Sequence, residues 1–437
     1  MSRRACIPND PASMKVISMY LLATVCSLCL IIFGVLYLYW GARAARLYRG
    51  ILQQRTVDDY TPLATVILSL RGSDPFLVHC LDGLLNQDYP DYRVKIVVDH
   101  VSDPALGFVN QYLRTHPHTN CEVSLRHQQS TGCGLKNASL VQAIQSVSAD
   151  VEVVAWLDAD VVPHRHWLRD LVAPLQDAEV GIASGIRWYA PQSTNAGTLV
   201  RHAWNAAAVL QMLSMDVAWG GSIALSRSMF QDPLLTNTLS KMMWEDTGLK
   251  AIADQLNLKL VFAPAATMIN AEAIAFDSSL RFITRQMVNA RFYHAQFPFI
   301  AAIGFISALA QTILIVLGLL FLNQGQQLAA GLVAGVLAFA GGSVAFSIYR
   351  LGSRIEQLVQ SRGGRFRRHP FKTLGYLWLM PYLFCACLIA AMRTRIINWR
   401  GVIYYVPAPF EVYINHYEPF QKPAPVSVRA ELENVSI

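Results

Sequence analysis

The chain has 437 residues, 53% hydrophobic and 15% charged, with a formal net charge of +7 and a mean hydropathy of +0.32. That balance excludes both a wholly soluble protein and a bundle of membrane helices throughout, and the length accommodates an ordinary domain plus a membrane part. The basic residues flank apolar runs and lack interleaved aromatics, which argues against nucleic acid and favours anionic lipid headgroups as their partner.

Val16 to Trp40 is 25 residues without a charge, long enough to span a bilayer. Arg3, Arg4 and Lys15 precede it as in a signal peptide, but the run is longer than a signal core and no small-x-small cleavage pattern follows directly, so an uncleaved anchor is expected. Arg43, Arg46, Arg49 and Arg55 follow, and the positive-inside rule places them in the cytoplasm.

The next 250 or so residues have ordinary charge density and alternate apolar strands with helical patterns. ATVILSL (Ala64 to Leu70), VKIVV (Val94 to Val98), CEVSLRH and VEVVAWL (Val151 to Leu157) read as strands. Pro75 to Leu85, Asp103 to Leu113 and Lys136 to Val147 read as helices. Such alternation predicts βαβ units around a parallel sheet, with ligands bound beyond the carboxyl ends of the strands. Asp99 and the pair Asp158 and Asp160 fall at those ends, and Gly132, Gly134 and Lys136 join them if CEVSLRH is adjacent. A lone D-x-D is ordinarily a solvated turn; after a buried strand, with a second acidic strand end, it becomes a candidate for a divalent cation (Mg²⁺ or Mn²⁺) and a nucleotide. His164 and His166 read as exposed residues at a helix start begun by Pro163.

Gly197 to Trp219 is a long helix-compatible stretch, equally consistent with plain core or with a surface that admits a lipid. Gly220 and Gly221 allow close approach to a ligand, and Ser222 offers a hydroxyl as it enters a strand to Ser226. Glu245 and Asp246 stand at the start of an amphipathic helix, where acidic residues suit the helix dipole without any function. Beside three other acidic positions, a catalytic base is the better expectation. Arg281, Arg285, Gln286 and Arg291 lie on a helix before the next apolar run, suited to flanking a membrane or to pairing with a diphosphate.

Apolar runs follow at Phe297 to Leu322, Leu328 to Tyr349 and Leu374 to Met392; the last carries Pro381 and is a kinked or re-entrant candidate. Arg350 to Lys372 between them carries six Arg, one Lys and one Glu, a net +6, and is expected in the cytoplasm. A full span at 374–392 would place Ile397 to Tyr404 outside, although RTRIINWR is basic. The eight cysteines (Cys6, Cys26, Cys29, Cys80, Cys121, Cys133, Cys385 and Cys387) are scattered and suggest no disulfide framework.

The order of these features resembles the inverting glycosyltransferases of families 2 and 21, most closely their ceramide glucosyltransferase branch. It runs from an apolar strand through VVDH, G-x-G-x-K, D-x-D and GGS to an ED pair and an Arg/Gln helix. DGLLNQDYPDYRVKIVVDHVSDPA and WEDTGLKAIADQ carry the likeness, which covers about Ala64 to His294 with a weaker match at INWRGVIY. The resemblance implies a GT-A, Rossmann-like α/β domain plus transmembrane α-helices. It implies residues 1–45 as anchor, 46–295 as cytosolic domain, 296–393 as membrane helices (about 297–322, 328–349 and 374–392) and 394–437 as a basic, amphipathic tail.

It further implies transfer of one sugar from a nucleotide-sugar donor, a UDP-hexose, to the hydroxyl of ceramide or another membrane lipid at the cytoplasmic face. Asp158 and Asp160 would hold the cation and Asp246 would act as base. Asp99, Lys136, Asp158, Gly221, Ser222, Arg285, Gln286 and Arg291 would bind the donor; no obligate protein partner is evident. One base without a carboxylate nucleophile implies inversion.

The chain departs from the family's Gln-x-x-Arg-Trp: Met287, Val288, Asn289 and Ala290 follow Gln286. The arginine's task passes to Arg285 or Arg291, or the acceptor is handled differently. The missing pattern also weakens a processive polysaccharide synthase, while a non-catalytic membrane scaffold remains the reading from another class.

Overall fold

The computed structural model describes residues 11–53, 60–116, 120–127, 132–366 and 368–421. Arg3, Arg4, Cys6, Arg55, Arg367 and the tail beyond residue 421 lie outside them. The first helix, α1, runs from Pro11 to Gln53. Strands and helices then alternate: β1 (Ala64–Leu70), α2 (Leu77–Leu85), β2 (Tyr92–Val98), α3 (Pro104–Thr115), β3 (Cys121–Leu125), α4 (Leu135–Gln145), β4 (Val153–Leu157) and α5 (Trp167–Val172). The second half of the domain comprises β5 (Val180–Tyr189), α6 (Ala196–Met215), β6 (Ser222–Ser226), α7 (Arg227–Phe230), α8 (Pro233–Leu239), α9 (Leu249–Gln255), β7 (Lys259–Asn270) and α10 (Phe276–Tyr293).

Seven strands form one sheet in the order β3-β2-β1-β4-β6-β5-β7. β1 pairs in parallel with both β2 and β4, so the chain reverses direction across the sheet between β1 and β4. Open sheets of this kind leave a crevice at that point, beyond the strand carboxyl ends. The Rossmann-like α/β class is as expected, but the sheet is mixed: β6 runs antiparallel to both β4 and β5.

Alternation along β1 divides the core. Val66 and Leu68 pack on one face with Leu81 and Leu84 of α2 and Val109 of α3. Ile67 packs on the other, with Trp156 and residues of α4 and α6. These side chains are fully buried, each stabilising by about 1.5–3 kcal/mol. Asp103 caps α3 by accepting from Ala105 N at 2.8 Å, and also accepts from Gly72 N at 2.9 Å, which fixes the end of β1.

Among the described residues, three helices are long and apolar enough to cross a membrane: Met14–Gln53 within α1, α11 (Phe297–Asn323) and α12 (Gln327–Ser361). At Gly41 a β-carbon would stand 2.6 Å from that of Ser347, so the glycine allows α1 and α12 to approach closely. Both helices continue into the α/β domain. The Tyr48 hydroxyl lies 2.8 Å from Thr267 Oγ1 on β7, while Leu351, Ile355 and Leu358 of α12 are buried in the domain's core. α13 (Pro370–Leu377) and α14 (Met380–Arg393) are bent by 60° across their break. Arg362 before this pair donates to Asp170, and Arg400 after it donates to Asp74. The chain therefore meets the α/β domain both before and after the bent pair.

Beyond it, the described part of the expected tail is a three-stranded antiparallel sheet: β8 (Ile396–Trp399), β9 (Val402–Ala408) and β10 (Glu411–His416). Two further expectations change. Glu245 and Asp246 precede α9 in a loop and are not in its first turn. His166 is half exposed as expected, but His164 is largely buried, its Nε2 lying 3.2 Å from the Ala265 carbonyl oxygen.

Burial, reinforced by Arg362, pushes the His164 imidazole down to about 3. Between its ordinary value of 6.5 and that pH the unfolded chain binds a proton that the folded chain does not, so this contribution is lost as pH falls. In denaturant melts, His164→Asn is expected to lose less stability between about pH 7 and pH 4 than the wild type; equal losses would refute the buried neutral state.

Candidate active site

At the carboxyl edge of the sheet, Asp158 immediately follows β4, and its amide donates to Gly221 O at 3.3 Å. Lys136, in the first turn of α4, spans the cleft floor. Its ammonium donates to Asp158 Oδ1 and Glu245 Oε1, both at 2.5 Å, and to Gly220 O at 3.1 Å. Gly134 brings α4 this close: a β-carbon there would stand 2.1 Å from Met243 O. Lys136 therefore ties together the end of β4, the start of α4 and the loop before α9.

The electrostatics follow from that arrangement. Burial would lower the Lys136 ammonium, but Asp158 and Glu245 outweigh it and hold its pKa up. Burial acts upward on Asp158 and is overcome by Lys136, which keeps this carboxyl below its ordinary range. Asp160 has only Arg187, at 4.0 Å: burial and then Asp158 outweigh that cation and push the carboxyl up to about 6. Burial also carries Glu245 to about 7 despite its contact with Lys136.

Asp246 is held on both oxygens. Oδ1 accepts from Asn289 Nδ2 at 2.6 Å, Thr247 N at 2.7 Å and Thr247 Oγ1 at 3.1 Å; Oδ2 accepts from Gly220 N at 3.3 Å. Asn289 occupies the position where the resembling pattern carries arginine. It was missed because that pattern directs attention to a charge, not to an amide.

Lys136, Asp158, Asp160, Gly221, Asp246, Arg285 and Gln286 line one polar cleft, together with the unanticipated Asp74, Arg187, Arg201, Glu272 and Arg400. Three expected donor residues lie outside its lining. Asp99 is buried and ion-paired with Arg71 and, at 2.7 Å, with Arg126, while the Tyr417 hydroxyl donates to it at 3.1 Å. Ser222 is fully buried and its hydroxyl accepts from Trp167 Nε1 at 2.9 Å. Arg291 donates to Ala391 O and, at 2.6 Å, to Thr394 O, satisfying carbonyls at the end of α14.

The β8–β9 turn closes another side of the cleft. Arg400 and Gly401 both take positive φ, 48° and 81°, the conformation of a tight two-residue hairpin turn. Arg400 donates to Asp74 at 2.5 Å, and Arg71 donates to Arg400 O at 2.9 Å and Glu418 O at 2.6 Å. Tyr417 and Phe420 lie against the Arg71 guanidinium, 5.3 and 6.0 Å from ring centre to carbon.

A second, apolar cavity lies between α6 and the membrane-length helices, bounded by Phe33, Trp204, Met212, Ile303, Val344 and Phe384 among others. Arg187, Trp219, Asp246, Phe282 and Gln286 belong to the walls of both spaces.

Among the described residues, no three His, Cys, Asp or Glu side chains form a ready-made metal cage. Asp160 Oδ1 is nevertheless buried without a hydrogen-bond partner. Two carboxylates with one oxygen left over suit a hard cation that takes its other ligands from phosphate and water.

A Rossmann-like domain with this mixed acidic and basic cleft, set against membrane-length helices, defines the class of a membrane-associated group-transfer enzyme. The chain matches glycosyl transferase family 21 over residues 24–408 and belongs to that family; it is a glycosyltransferase. A ceramide glucosyltransferase of Komagataella phaffii is 30% identical over 59 residues, 14% of this chain and 12% of that protein. Glycosyltransferase AglE of Haloferax volcanii is 23% identical over 125 residues, 28% of this chain and 39% of its own length. The matches thus span less than half of either relative. Among solved structures, a mannosyltransferase from Pyrobaculum calidifontis in complex with GDP-Man and Mn²⁺ is 15% identical, with a TM-score of 0.45 over 84% of this chain and 97% of that one. Glucosyl-3-phosphoglycerate synthase from Mycobacterium tuberculosis, with Mn²⁺ and UDP, is 16% identical, with a TM-score of 0.34 over 54% and 82%.

Removing Lys136 leaves two carboxylates facing each other. Lys136→Met is expected to cost about 3–5 kcal/mol, read as a lower melting temperature, and adding Glu245→Gln should recover part of it. A melting temperature unchanged by Lys136→Met would contradict the bridging role.

Proposed function

We propose that this family 21 glycosyltransferase transfers a single sugar from a UDP-hexose to the hydroxyl of a membrane lipid, ceramide or another, at the cytoplasmic face. The observation that carries this reading is the position of Asp246 in the wall shared by the polar cleft and the apolar cavity. A donor diphosphate suits the cleft, an acyl or polycyclic tail suits the cavity, and their reacting ends would meet at this carboxylate.

The acceptor O–H gives its proton to Asp246. Its oxygen attacks the anomeric carbon, and the bond from that carbon to the diphosphate oxygen breaks as the diphosphate leaves with the electron pair. Attack opposite the leaving group inverts the anomeric centre. Asn289 and the Thr247 amide hold Asp246 in one orientation, which a base acting on a single hydroxyl requires. A divalent cation held by Asp158 and Asp160 would supply positive charge to the diphosphate. Lys136 balances Asp158 and Glu245 in the floor, while Asp99 acts at a distance by fixing Arg71 and Arg126.

A re-entrant course for α13 and α14, supported by Arg362 before the pair and Arg400 after it on the same domain, puts the β8–β10 sheet on the cytoplasmic side with the donor cleft. With α1, α11 and α12 as full spans, this reading makes the protein multi-pass, with three spans and one partial insertion.

Asp246→Asn preserves shape and removes the base, and is expected to lower transfer by about 10²–10⁴-fold with nucleotide affinity little changed. Transfer at the wild-type rate would sink the assignment. In a melting panel of nucleotide sugars with and without Mg²⁺ or Mn²⁺, a UDP-sugar with cation should raise the melting temperature, because only the folded chain binds it. Stabilisation by no nucleotide sugar would overturn the donor reading.

A further inference from the structure

Most cations of the cleft are already committed to a partner within the protein. Lys136 is shared by Asp158 and Glu245, Arg71 is paired with Asp99, Arg201 with Glu272 and Arg400 with Asp74. Arg187 and Arg285 differ. Among the described residues neither guanidinium donates a hydrogen bond to the protein, and the nearest carboxylate oxygen to Arg187 is Asp160 Oδ2, 4.0 Å away.

The setting of Arg187 explains how it stays in place without such bonds. Its guanidinium carbon lies 5.0 Å from the ring centre of Tyr189, 5.2 Å from Trp219 and 5.4 Å from Phe282. Ring faces attract the cation yet consume none of its five N–H donors. Arg285 lies near the same Phe282 ring, 5.9 Å from its centre. Two like charges with free donors, brought together in a cleft, call for an anion with several oxygens. α10 places Arg285 one turn before Asn289, so one helix face presents a cation to the cleft and an amide to Asp246.

We infer that Arg187, acting with Arg285, receives the oxygens of the departing diphosphate. This rests on the donor reading above and adds to it a residue from β5. As the bond to the anomeric carbon breaks, negative charge grows on the diphosphate oxygen, and a guanidinium already desolvated against aromatic rings stabilises it without reorganising.

The test uses the full chain in detergent with Mn²⁺, comparing binding of UDP, UMP and uridine to wild type, Arg187→Gln and Arg187→Lys. Arg187→Gln is expected to weaken UDP about 10- to 100-fold, to affect UMP far less and to leave uridine unchanged. Arg187→Lys should recover part of the UDP affinity, because it restores charge but not the two-pronged geometry, and it serves as the readout if the glutamine variant fails to fold. With acceptor present, kcat should fall more than the acceptor KM rises. UDP binding as tight in both variants as in wild type overturns the inference while leaving the donor reading intact. So does a defect confined to acceptor KM, which would assign Arg187 to an acidic headgroup. If wild type does not bind UDP, the inference and the donor reading fall together.

Discussion

The site depends on one ammonium group shared between two carboxylates. Asp158 arrives at the cleft on β4 and Glu245 on the loop before α9, and the two would repel each other in a partly desolvated space. Lys136 lies 2.5 Å from each, offsetting the repulsion and pinning three separate segments to one point. Breaking such a pair leaves uncompensated charge, which costs far more than an intact surface pair contributes. Asp246 follows Glu245 directly, so the clamp on one carboxylate sets the position of the other. Asp160, whose nearest cation is Arg187 at 4.0 Å, is the carboxylate less tightly committed.

The same positioning extends to the membrane-length helices. α1 and α12 do not end where their apolar stretches end; both continue into the core of the α/β domain. The apolar cavity is consequently held at a fixed height against the polar cleft, and five residues serve as the wall of both. Arg291 secures α10 to the end of α14, and the Arg400 turn closes the cleft against Asp74. The proposed transfer from a water-soluble donor to a membrane lipid would need this kind of rigid junction, because a small displacement of either reactant takes it out of line.

Much of this was legible in the sequence, and the exceptions have physical causes. β1 and β4 announced themselves as apolar runs, and their acidic ends located the cleft. Asp246 was singled out by its company and does line the cleft, although its position in a loop was not legible, since acidic residues before a helix look alike in either setting. Arg187 was missed because VGIASGIRWY has two glycines and no period-two alternation, as befits a strand buried on both faces. The burial of Asp99 was not legible because it rests on contacts no local pattern reveals, one of them from Tyr417, 318 residues away. Arg285 and Arg291 looked equivalent along the chain. Only packing separates a side chain lining the cleft from one that closes a helix end.

The central claim is that one donor sugar and one lipid hydroxyl meet at a single base. It is tested most directly by the product formed when the purified chain is given a UDP-hexose of known anomeric configuration and a membrane lipid extract. Mass analysis and the anomeric proton coupling should reveal a lipid carrying one hexose with its anomeric centre inverted. A polymeric product, a retained configuration or a sugar released to water without a lipid acceptor would contradict the claim.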